Sequence, residues 1–148
     1  TFLVYGVPFV LLAPLAGRLV DRRDPVRVGA LLLLPVAACT VGYGLLGDPW
    51  HVLALGGVEG IAQSLATPAV YAAVAAAAPA GRASAAQGLA GSVSVFGSMV
   101  AAFGTPALYG AAGAAATFIV VAGGILAAGA VALAMRPRGA RRRASPAG

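Results

Sequence analysis

The sequence predicts an all-α, polytopic membrane helix bundle with five transmembrane helices. Of its 148 residues, 60% are hydrophobic and only 9% are charged. Soluble domains carry roughly 25% charged residues. A soluble fold must cover its outside with polar groups, and this chain has too few. A bilayer removes that requirement. The second observation is placement: the arginines stand in short clusters that separate apolar runs of spanning length.

The elements follow in order. The first span, residues 1–17, is uncharged and about 26 Å long as a helix. Leu19 and Val20 can extend it. Pro8 and Pro14 would break a soluble helix, but neighbouring helices can satisfy the freed carbonyls in a membrane. This run begins at Thr1 with no basic segment ahead of it, so it does not read as a signal peptide. We expect a fragment whose N-terminal part is missing.

A charged loop follows over residues 18–27, RLVDRRDPVR, with Pro25 at the first turn of the next helix. The second span is residues 28–46 and holds the one cysteine, Cys39, which reads as a small apolar packing residue. Residues 47–51, GDPWH, read as a turn, with Trp50 and His51 at the membrane–water interface.

The third span, residues 52–78, contains Glu59, and residues 79–82 close it as a short loop. Residues 83–135 then run without a charge. One helix of that length would measure roughly 80 Å, against a hydrocarbon core of about 30 Å. Two helices are therefore expected, 85–108 and 115–135, with the break between Tyr109 and Ala114. Gly104-Thr105-Pro106 is the rival position, where a kink would suffice. Residues 136–148 form a basic tail, expected to be disordered and cytoplasmic.

On this reading all ten arginines fall on one side of the bilayer. The positive-inside rule makes that side cytoplasmic. They are not interleaved with aromatics, so the net charge of +6 is read as orientation, and no nucleic-acid partner is expected.

The loop after the first span resembles the signature loop of the major facilitator superfamily, G-x-L-x-D-R-x-G-R-[RK]. Gly17, Leu19, Asp21, Arg22 and Arg27 fit, with Arg23 between them. The second glycine of that pattern is replaced by Asp24-Pro25, so the tight turn must be made differently. The third and fourth spans add Gly60, Pro68, Arg82 and Gly88 in the family's order. Where the family's N-terminal half commonly carries an arginine, this chain has Gly56, which favours the C-terminal half.

The resemblance implies part of a twelve-helix secondary transporter, helices eight to twelve, with the first seven missing. It implies alternating access around a midplane site in a multi-pass cell-membrane protein. The loop of Gly17, Asp21, Arg22, Arg23 and Arg27 would be a cytoplasmic latch between two helix bundles. Its partners would be a small-molecule substrate, protons, the lipid bilayer and the missing helices, with no cofactor. The substrate leaning is export of small, partly apolar compounds. A non-transporting membrane scaffold remains the alternative reading.

Glu59 is the one charge inside a span. A carboxylate there must be protonated, paired or facing a wet cavity. Gln63, Thr67 and Tyr71 follow at steps of four and form a slowly drifting polar stripe. That stripe can line a substrate path, with Glu59 taking a proton or cation; alternatively Glu59 reaches the outer interface. Gly56, Gly60 and Ser64 form a small-residue ridge for close helix packing. The sequence carries no phosphate loop, no His/Cys metal set and no paired carboxylates, and no enzymatic chemistry is expected.

Overall fold

The computed structural model describes residues 2–135, with the side chains of all but residues 2–5, Phe9 and Ala13. The basic tail expected over residues 136–148 lies outside the described residues. Helices are α1 (Phe2–Arg22), α2 (Pro25–Leu45), α3 (Pro49–Ala77) and a helical stretch Ala83–Ala134. That stretch is broken at Gly113, where φ is 80° and ψ 176°. Its two parts, 83–112 and 114–134, are α4 and α5.

Gly113 falls inside the expected YGAAGA break, while helix continues through the rival position at Pro106. Positive φ with extended ψ is a region open essentially to glycine alone. Among the described residues only Gly81 and Gly113 have positive φ, and each marks an end of α4.

Two expected boundaries move. Helix α1 continues through Arg22 rather than stopping near Gly17. Leu19 and Val20 are half-buried, so packing carries the helix past Arg18. Trp50 and His51 belong to the first turn of α3, not to a loop. The cause is Asp48, whose Oδ1 accepts from the Trp50 amide at 2.8 Å, with Pro49 in the first helical position. Asp24 does the same for α2. Its Oδ1 accepts from Val26 N at 3.0 Å and Arg27 N at 3.4 Å, followed by Pro25. An aspartate cap with proline at the first helical position answers the free amides of a helix start.

Close glycine contacts fix the helix directions. A Cβ on Gly29, near the start of α2, would lie 3.8 Å from both Ala69 and Val70 of α3. One on Gly42, near the end of α2, would meet Leu55 at 2.7 Å. Helix α3 therefore runs antiparallel to α2. Gly44 abuts Ala115 and Phe118, while Gly129 abuts Ala30 and Leu33. Helix α5 is thus antiparallel to α2 as well. Since α3 ends and α5 begins at opposite ends of the bundle, α4 must cross between them, and Gly113 turns the chain back.

The packing order follows. Helix α1 lies mainly against α3, α3 against α2, and α2 against both α3 and the Ala83–Ala134 stretch. The buried residues are small: Ala16, Val36, Ala37, Cys39, Ala62, Ala66, Ala69 and Ala122. Most of α4 is exposed within the chain, Phe103 to 79%. Helices α2, α3 and the Ala83–Ala134 stretch are each long and apolar enough to cross a membrane.

Arg18, Arg22, Arg23, Arg27 and Arg82 all fall at the bundle end where α2 and α4 begin. Asp48 and His51 fall at the other.

Gly44→Ala and Gly113→Ala test this geometry. A Cβ on Gly44 would sit 2.9 Å from Phe118 Cβ and 3.2 Å from Ala115 Cα. Gly113→Ala forces a strained φ, costing about 1–3 kcal/mol. Thermal unfolding in detergent should show both variants destabilised. Gly123→Ala, with nothing within 4 Å of the added Cβ, should not be. Unchanged melting for all three would contradict the described packing.

Candidate functional site

Glu59 stands ten residues into α3, about 15 Å along it from Pro49. An ionised carboxylate in an apolar helix needs a partner. Tyr43 of α2 supplies one: its hydroxyl donates to Glu59 Oε2 at 2.7 Å, in a partly buried setting. The tyrosine ring packs at a tilt of 54° against Phe118 of α5, with centroids 6.2 Å apart. One carboxylate is thereby linked through one ring to three helices.

Gly56 lies beside this contact. A Cβ there would come 3.7 Å from the Tyr43 hydroxyl, an ordinary van der Waals distance. Further along α3, Gly60 and Ser64 are buried, and Ser64 donates to the Ile61 carbonyl at 2.7 Å. The small residues of this ridge therefore lie against neighbouring helices, with the serine hydroxyl satisfied inside its own helix.

The structure does not gather Gln63, Thr67 and Tyr71 around Glu59. Each step of four residues turns about 40° further round a helix. Gln63 and Thr67 are half-buried, and Tyr71 is 45% exposed. Among the described residues none of the three has a hydrogen-bond partner. The stripe starts against α2 and drifts outward.

At the arginine-bearing end, Asp21 is exposed on the last turn of α1. Gly17 meets nothing within 4 Å of an added Cβ. Arg22, Arg23 and Arg27 are exposed. The departure from the family's turn glycine has a structural answer, since Asp24 and Pro25 make the turn as a capped helix start.

Sequence reasoning missed Tyr43 and the capping roles of Asp24 and Asp48. The signals were present only in part. A tyrosine hydroxyl in an apolar helix needs a partner. Asp-Pro before an apolar run is a helix-start signature.

Five apolar helices, joined by short turns with arginines gathered at one end, define a polytopic membrane bundle. The chain belongs to the major facilitator superfamily, whose family model matches residues 1–148. Members are membrane transporters of small molecules, and that is the class of this chain. No curated protein and no solved structure matches it.

A double-mutant cycle measures the Tyr43–Glu59 bond. Tyr43→Phe and Glu59→Gln should show an interaction energy within about 0.5–3 kcal/mol in detergent unfolding. Strict additivity of the two changes would mean the bond contributes nothing.

Proposed function

We propose that this chain forms helices eight to twelve of a proton-coupled secondary transporter working by alternating access. Its direction is efflux of small, partly apolar compounds, as an antiporter in the cell membrane. The observation that carries this reading is Glu59, an acid inside an apolar helix that shares a hydrogen bond with Tyr43. Proton exchange at that oxygen alters a bond between α2 and α3, which gives protonation a route to helix packing. Gln63, Thr67 and Tyr71 continue the polar stripe from Glu59 toward the exposed face of α3, where substrate would pass.

Two further features support the reading. Leu89, Val93, Phe96 and Phe103 of α4 are exposed; in the complete transporter, helices of the first half cover part of that surface. Asp21, exposed beside Arg22 and Arg23, is placed to latch onto that half at the cytoplasmic side. The arginine-bearing end is cytoplasmic by the positive-inside rule, and the C-terminus with it.

The test uses the full-length protein in inverted vesicles loaded through a pH gradient, with a small apolar dye as probe. Glu59→Gln should abolish gradient-driven movement while leaving dye exchange at equal pH. In the same vesicles Asp21→Asn should change the labelling rate of cysteines at the arginine-bearing mouth. Wild-type coupling in the glutamine variant would remove Glu59 from the mechanism, and unaltered labelling would remove Asp21.

A further inference from the structure

The arginine-bearing end of the bundle has more positive charge than the chain itself answers. Arg18, Arg22, Arg23, Arg27 and Arg82 are all exposed. Among the described residues, none of the five has a carboxylate partner or a side-chain hydrogen bond. Two acids share this end, Asp21 and Asp24. Five arginines less two aspartates leave +3. The carboxylate of Asp24 accepts from the Val26 and Arg27 amides.

Position matters as much as charge. Arg18 and Arg22 stand four residues apart on α1, so their side chains are neighbours on one face. Arg23 lies in the two-residue link, and Arg27 in the first turn of α2. The apolar run of α2 resumes at Val28. Long arginine side chains at such a boundary extend to the headgroup level of a bilayer. The guanidinium fork matches a phosphate oxygen pair with two parallel hydrogen bonds. A negatively charged leaflet surface attracts clusters of this kind.

We infer that the Arg18–Arg22–Arg23–Arg27 cluster is a binding surface for the phosphate of anionic phospholipid headgroups. Arg82, at the same end of the bundle, adds to the field. The inference does not depend on proton coupling; it rests on the proposed placement of the arginine-bearing end at the cytoplasmic leaflet.

The full-length protein is placed in nanodiscs of equal phosphatidylglycerol and phosphatidylcholine. Lipids retained after extraction are then counted by native mass spectrometry. The wild type should retain phosphatidylglycerol in excess. Each Arg→Gln change at positions 22, 23 and 27 should lower that preference, by up to about fivefold. The triple Arg→Lys variant should keep most of it, and Asp48→Asn, at the opposite end, should leave it unaltered. An equal preference in the triple glutamine variant would overturn the assignment. So would displacement of the retained lipid by millimolar inorganic phosphate, which would mark a site for soluble phosphate instead.

Discussion

Water is missing from the interior of a bilayer, and most of the hydrogen-bonded polar side chains among the described residues are arranged around that fact. A backbone amide or hydroxyl left unmatched there costs several kcal/mol. The chain answers from within. Thr40, Ser92, Ser98 and Thr117 each donate to the carbonyl four residues back in their own helix. Asp24 and Asp48 occupy the starts of α2 and α3 and accept from the first free amides. Two of the four acids therefore serve the backbone. Glu59 is the exception, reaching across to another helix for Tyr43, and its partner is the outcome of packing rather than of local structure.

That packing is governed by close approach. Lipid tails are as apolar as leucine, so helices associate through contact area and not through exclusion from water. Helix α2 is the hub. Gly29 and Gly42 admit α3 on one side, while Gly44 receives Ala115 and Phe118 of α5 on the other. Tyr43 sits between these glycines and touches both neighbours. The same close approach that builds the bundle thus puts the Glu59 bond where three helices meet, so that a change in one helix pair is felt by a third.

Much of this was readable from the residues. The run lengths and arginine clusters mark five helices, and YGAAGA marks the last break because its two glycines stand near the middle of residues 83–135, where two crossings of similar length must meet. The end of α1 was harder, since Arg18, Asp21 and Arg22 are tolerated in a helix that has left the hydrocarbon. The helix neighbours were not readable at all. An amphipathic helix declares its buried face, whereas helices apolar all round do not. Hence Tyr43 stayed hidden as the partner of Glu59, and the polar stripe through Gln63, Thr67 and Tyr71 looked like one face when it winds from a buried to an exposed position. Asp24 looked like a lost glycine until its carboxylate was seen on the amides of α2.

The bundle requires α4 and α5 to be two opposed crossings, which puts residues 81 and 112 at opposite ends. Single cysteines at Gly47, Gly81 and Ala112, in a Cys39→Ala background, can be labelled with a membrane-impermeant maleimide in sealed, oriented vesicles. Labelling of positions 47 and 112 from one side and of 81 from the other is the predicted result. Labelling of 81 and 112 from the same side would contradict it, because α4 would then not cross the membrane.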